Sequence, residues 1–252
     1  MMRSKIRSTK AATAVGSKAV LVAVVVITST LGLAGCSKII KAVKATHNAL
    51  HQAEAIQAFS KKVKTGDATT YEVTYVTTGH PQATIVYADA PPHDFAFDTT
   101  LADKGVRIIA SSTGQYACNR SQTGSSLGPW SCLKLKGSDV DTYRATYALY
   151  TGAYWIDFLK IYSTVAGLEG VSITSGKKTV NGFHLQCVDI TSTKKNFTPS
   201  QWCVTSQGIL GYVSVSSSGA AFEIKAYSSS PPSSLFQLPG GATITTIPTG
   251  TS

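Results

Sequence analysis

The chain opens with a run that has no amphipathic period at all. Residues 19–33, AVLVAVVVITSTLGL, are apolar almost throughout, and residues 1–18 before them carry Arg3, Lys5, Arg7, Lys10 and Lys18 and no acid. Beyond residue 36 the period becomes helical. Ile40, Val43, Ala49, Ala53, Ile56 and Phe59 recur at spacings that share one face, with Leu50 beside them and Thr46 interrupting. This predicts a helix over 37–64 with Gly66 as its stop.

From Thr69 the period is two. Tyr71, Val73 and Tyr75 alternate with Glu72 and Thr74, and Phe95 and Phe97 alternate with Asp94, Ala96 and Asp98. Gly79-His80-Pro81, Pro91-Pro92 and Gly114 punctuate strands expected at 69–77, 84–88, 94–98, 104–112 and 115–120. Residues 121–130 are rich in Ser and Gly and read as a loop. A helix is expected from a Ser138 or Asp139 cap to about Ala166, ended by Gly167 and Gly170. Its stripe is aromatic: Tyr143, Tyr147, Tyr150, Tyr154, Phe158, then Ile161 and Val165, with Trp155 and Tyr162 alongside. A second strand set follows at 171–174, 179–191, 201–206, 209–216 and 221–227, and residues 228–252 read as a mostly irregular tail. The order helix, strands, helix, strands predicts an α+β fold, one curved antiparallel sheet with helices on its concave face.

Returning to the first run, Leu33-Ala34-Gly35-Cys36 closes it. A basic end, an apolar stretch too short for a comfortable span and a small-residue end make a secretory signal. L-A-G-C resembles the bacterial lipobox. The resemblance implies cleavage after Gly35, a diacylglyceryl group on the Cys36 thiol, and a membrane-anchored protein facing out of the cytoplasm, on the cell membrane. The expected segments are then 1–35 as signal peptide, 36–68 as lipidated N-terminus and first helix, 69–230 as body, and 231–252 as strand end and tail.

Charge changes less than it first suggests. The formal net charge is +10, but five of the 23 Lys+Arg precede residue 36, which leaves 18 bases against 13 acids in the rest. Lys38, Lys41, Lys44, Lys61, Lys62 and Lys64 concentrate in the first helix, as a solvated face or as a stretch attracted to anionic headgroups. No basic–aromatic motif points to nucleic acid. Apart from Cys36, four cysteines remain, Cys118, Cys132, Cys187 and Cys203, an even number that suits an oxidising compartment. Of the three possible connectivities, Cys118–Cys132 with Cys187–Cys203 is favoured because each pair brackets a hairpin-like stretch. A zinc site is the competing use of these thiols, and no C-x-x-C spacing is present.

Candidate chemistry is sparse. His47 and His51 stand four apart on a helix without the H-E-x-x-H pattern, no G-x-S-x-G elbow occurs, and Ser175-Gly176-Lys177-Lys178-Thr179 does not meet the phosphate-loop pattern. Asp139 and Asp141 suit a helix start, and two glycosylation sequons, Asn119-Arg120-Ser121 and Asn196-Phe197-Thr198, carry little weight for a bacterial chain. The reading is of a non-enzyme with no metal and no cofactor.

The Tyr71-Glu72-Val73-Thr74-Tyr75 strand, the central helix between two strand sets, a cysteine-closed hairpin in each set, and Leu235-Phe236-Gln237-Leu238-Pro239 near the end together resemble the LolA-like superfamily, which includes actinobacterial lipid-binding lipoproteins. The resemblance covers roughly residues 40–248. It implies an unclosed half-barrel whose helices leave an apolar cavity for acyl chains or another lipophilic ligand. Val73, Tyr75, Phe95, Phe97 and Ile108 from the sheet and Tyr147, Tyr154 and Phe158 from the helix are the candidate lining residues. The aromatic stripe has an ordinary reading as core beside this one. A second functional reading is a structural or accessory envelope lipoprotein that acts through protein contacts, with partners the sequence does not identify.

Overall fold

The computed structural model describes residues 36–66, 68–78, 82–135, 140–215 and 220–246, and within these says nothing of the side chains of 36–48, 140, 162–169 and 220–221. The expected signal segment 1–35, the Gly79-His80-Pro81 turn, the Ser138 or Asp139 cap, the end of the tail, and the side chains of Cys36, Ile40, Val43, His47, Tyr162 and Val165 lie outside that description. The chain divides into two units, Met1–Ala42 and Val43–Ser252, and every strand belongs to the second. No described helix is long and apolar enough to cross a membrane.

Helix α1 spans Cys36–Gly66. The strands are β1 (Tyr71–Thr77), β2 (Thr84–Ala90), β3 (Asp94–Thr100), β4 (Lys104–Ser111), β5 (Gly114–Thr123), β6 (Ser126–Leu127) and β7 (Ser131–Lys134). Then come α2 (Val140–Thr146), a 3-10 turn (Ala148–Tyr150) and α3 (Gly152–Glu169). The second set is β8 (Val171–Val180), β9 (Phe183–Ser192), β10 (Ser200–Val204), β11 (Leu210–Val215) and β12 (Ala220–Ser228). A 3-10 turn (Ser233–Phe236) and β13 (Thr243–Thr246) end the described chain.

One unclosed sheet takes all the strands, in the order β13-β7-β5-β4-β3-β2-β1-β12-β11-β10-β9-β8, with β6 paired to β5. The two strand sets meet where β1 pairs with β12. Pairing is antiparallel except between β13 and β7, which run parallel. The expected curved antiparallel α+β architecture is therefore what forms. The parallel edge comes from the tail, which crosses the outer face with mostly irregular backbone before adding the four-residue strand β13. There Phe236 and Leu235 pack on Ala88 and Ala96, and Leu238 and Ala242 pack on Tyr116, Cys118, Trp130 and Cys132.

The alternation is legible strand by strand. Val73 stands opposite Tyr87, Tyr87 opposite Phe97, and Phe97 opposite Ile108, so one inner row crosses four strands. Directly opposed residues in an antiparallel pair share a face. The hairpin between β8 and β9 turns on Asn181 and Gly182, both with positive φ (49° and 84°), as a two-residue turn of the primed type requires.

Several expectations shift. The buried stripe of α1 is Ala55, Phe59 and Val63, while Ala49, Ala53 and Leu50 are exposed. Among the described side chains of α1, those of its last turns, Ile56, Phe59 and Val63, meet the sheet core. They are held there by close backbone approach: a Cβ on Gly208 would fall 2.0 Å from the Lys62 carbonyl oxygen. Gly176 lies inside β8 rather than ending a strand, so the expected 179–191 strand divides at Asn181-Gly182. Half of the expected 121–130 loop is hairpin, since β5 continues to Thr123 and pairs with β6. The single helix expected to 166 is broken into α2, a 3-10 turn and α3, because Thr151 is extended (φ −110°, ψ 153°).

Both local disulfides form. Cys118 pairs with Cys132 and Cys187 with Cys203. Each pair occupies directly opposed positions of neighbouring strands.

Candidate functional site

Inward parity brings Val73, Tyr75, Phe95, Phe97 and Ile108 together in one core beneath the helix layer. All five are buried. The rings that lie against this floor come from one short segment. Tyr147, between α2 and the 3-10 turn, stacks on Phe97 at 4.2 Å and on Phe95 at 6.0 Å between centroids. Tyr150 lies 5.3 Å from Phe97, 6.1 Å from Tyr75 and 5.4 Å from Phe222 of β12. These are ordinary contact separations for aromatic pairs. The implied cavity is thus filled by the protein's own rings at this point.

Tyr75 is the polar atom in the floor. Its hydroxyl sits 2.8 Å from the Leu210 carbonyl oxygen and 3.2 Å from that of Tyr150, and its one proton serves the nearer acceptor best. Burial pushes this phenol well above its ordinary value, with Tyr87 and Tyr150 adding to the effect. Burial also raises Tyr147, helped by Tyr143, and Tyr150, helped by Tyr147. All three phenols are neutral at physiological pH.

Arg144 fastens α2 to the β2–β3 turn. Its guanidinium donates to Asp89 Oδ1 from Nε (2.9 Å) and Nη2 (2.8 Å), and to the carbonyl oxygens of Pro92 (3.0 Å) and Asp94 (3.3 Å). Asp141 takes a further bond at 3.1 Å. Asp89 shares the inward parity of Tyr87 and is buried. Burial raises its carboxyl, and the Arg144 bonds pull it back only in part.

Two expected lining residues are placed elsewhere. Tyr154 and Phe158 are each 37% exposed, on the outer side of α3, and Ile161 is 62% exposed. The break at Thr151 restarts the helix in a new phase. Gly152, Ile156 and Leu159 then face the core, with Gly152 against Val63 of α1. Trp155 is half-buried and contacts Trp202 of β10 at 4.8 Å. The sequence pattern assigned no lining role to Tyr150, nor to Phe222, Asp89 or Arg144. One signal was present: Asp89 is an acid in the inward phase of a strand, and such a residue needs a partner.

No protein-family model matches the chain, and no curated protein matches it. Solved structures do share part of its backbone course. A crystal structure of MucB aligns at 10% identity over 75% of this chain and 64% of that one, with a TM-score of 0.44. The complex of Pseudomonas aeruginosa MucA/MucB gives 10% identity, 74% and 61% coverage and 0.41. An uncharacterized conserved protein from Thermus thermophilus gives 8% identity, 76% and 98% coverage and 0.41. The chain spans less than two thirds of the MucB chains it matches. The architecture itself rests on the strand pairing.

Proposed function

We propose that the protein is a lipid-anchored lipoprotein on the extracytoplasmic face of the cell membrane, and that it takes a lipophilic molecule into the groove between sheet and helix layer. The L-A-G-C sequence at 33–36 behind its apolar run supports the anchor. Two disulfides support an oxidising compartment. The observation that carries the groove is that Tyr147 and Tyr150, from a single short segment, lie on a floor of buried aromatic and aliphatic side chains.

In this reading the segment 140–150 is a strap that holds the place of the guest, and the guest exchanges with it. Lifting two half-buried rings forfeits on the order of 1.5–3 kcal/mol, and each methylene that replaces them returns about 0.8 kcal/mol. A chain of more than roughly four methylenes outweighs the strap, whereas a shorter apolar solute does not. Binding and release need no covalent chemistry. The LolA-like resemblance implies the same class of ligand.

A second reading, an accessory envelope protein that acts through protein contacts, is favoured by two observations. The groove is filled at Tyr147 and Tyr150, and Tyr154, Phe158 and Ile161 form an exposed apolar strip on α3. Native mass spectrometry on residues 37–252, exported so that the disulfides form, separates the readings. A discrete lipid adduct that survives purification is expected. A clean apo mass after lipid challenge overturns the groove and leaves the accessory reading.

A further inference from the structure

Lys177 and Lys178 lie on β8, the last strand of the sheet, and Lys62 lies near the end of α1. Lys62, Lys177 and His184 of β9 turn into a hollow of about 390 Å³ with Thr179 and Gln186, whereas Lys178, next to Lys177 on the strand, sends its side chain to the other face of the sheet. No carboxylate lines it. Among the described residues none of the three lysines has an acidic partner. Lys178 is held over the Tyr212 ring at 4.0 Å, and His184 Nδ1 lies 3.1 Å from Thr179 Oγ1. The nearest acid of the hairpin, Asp189, receives a bond from Gln201 at 2.5 Å. Lysines on an edge strand also keep foreign strands away. That role does not require a lysine from a helix, or a histidine from the next strand, around one hollow.

A second hollow of about 210 Å³ shares Lys177 and Gln186 with the first. Its walls are Ala55, Ala58 and Phe59 of α1 and Ser175, Gly176 and Cys187 of the sheet. A cationic bowl therefore opens into an apolar slot along α1, on a different part of the sheet from the aromatic groove.

We infer that an anionic amphiphile binds here, its phosphate or carboxylate among Lys62, Lys177 and His184 and the start of its chain along Ala55, Ala58 and Phe59. The charge complementarity selects an anion, since each lysine near an anionic headgroup adds attraction worth about fivefold in affinity. The adjoining slot selects an anion that carries an apolar tail over a free one. This site goes beyond the groove reading and does not depend on it.

The test is binding of lysophosphatidylglycerol, an uncharged alkyl maltoside and inorganic phosphate to the full exported chain. Lysophosphatidylglycerol is expected to bind tighter than either of the others. The double change Lys62→Gln, Lys177→Gln should weaken it by about twenty-five-fold, at about fivefold per lysine, whereas Lys178→Gln should not. These side chains are surface groups, so the thermal midpoint should hold. Ala58→Trp should remove the advantage of the tail while phosphate binding stays unchanged. Inorganic phosphate binding as tightly as the lysolipid overturns the amphiphile. A double variant that binds the lysolipid like the parent overturns the site. Lysolipid binding lost in Tyr150→Ala but kept in the double variant also overturns it, and assigns the lipid to the groove. The reverse pattern supports this site while the groove reading fails.

Discussion

The aromatic stripe between the two strand sets is one pattern in sequence and two surfaces in space. Tyr143, Tyr147 and Tyr150 turn toward the sheet and pack on its core. Tyr154, Phe158 and Ile161 continue the same spacing and face outward. The difference lies at Thr151, one extended residue that resets the helix phase by the time Gly152 packs against Val63. Helical spacing predicts which residues share a face only while the helix is unbroken. Here the break divides an inner strap from an outer strip, and the two should answer differently to nearly every perturbation.

The largest contrast should appear at the floor beneath the strap. Tyr75→Ala removes a fully buried ring that contacts Tyr150 and Phe222 and carries the Leu210 hydrogen bond. Such a truncation costs about 3–5 kcal/mol. Urea unfolding checks this, and a loss below about 1 kcal/mol would mean that the floor is not packed as described.

Next comes the clasp. Arg144→Ala leaves Asp89 without its cation in a mostly buried position. Breaking a buried pair costs about 3–5 kcal/mol, and partial exposure of both side chains reduces the expectation to about 2 kcal/mol. The deficit should depend on pH in a definite direction. A carboxyl raised by burial above its ordinary 3.8 contributes stability when protonated, present below the unfolded value and lost as pH rises through the folded one. Without Arg144 the carboxyl rises further. The variant's deficit should therefore be greatest at neutral pH and shrink as the pH falls toward 3.8. An equal deficit at both ends would show that Asp89 is not the group left exposed to the cost.

The buried phenols give a smaller effect at the other end of the scale. Tyr75, Tyr147 and Tyr150 are raised above 10.0 mainly by burial. For an acid raised in the fold, stability is present below the unfolded value and lost as pH climbs through it toward the folded one. Tyr150→Phe keeps the ring and removes one such group, so its alkaline unfolding midpoint should move upward. A midpoint unchanged or lowered would remove phenol ionisation as the driver.

These effects also mark what was legible in the chain. The inward set Val73, Tyr75, Phe95, Phe97 and Ile108 could be read because a strand's period of two leaves only the choice of parity, and the apolar residues agree on it. Both cysteine pairs could be read because each is local. Contacts between distant segments had no local signature. Arg144 meets Asp89 across 55 positions. The tail reaches the outer face through Phe236 and Leu238, far from the Ala96 and Trp130 that receive them. The hollow among Lys62, Lys177 and His184 needs a helix end, an edge strand and a turn to converge. Ser175-Gly176-Lys177-Lys178-Thr179 fails the phosphate-loop pattern, and in the fold it is the strand that supplies one of the cations.

The smallest expected effect is also the sharpest test of the division at Thr151. Phe158 looks equivalent to Tyr147 in sequence, since both sit on the stripe. In the structure Phe158 keeps 37% of its surface exposed, and its ring touches Tyr154, Trp155 and the edge of Trp202. Phe158→Ser should cost about 1 kcal/mol or less, because only part of the ring leaves an apolar setting. Tyr147→Ser should cost clearly more, because its ring leaves Phe97 and Phe95 and opens the floor. If the two substitutions cost the same, the helix is continuous through residue 151 and the inner strap and outer strip are one face. If Phe158→Ser is nearly silent in stability yet lowers retention on a hydrophobic matrix, the outer strip is a surface the fold does not need for its own core.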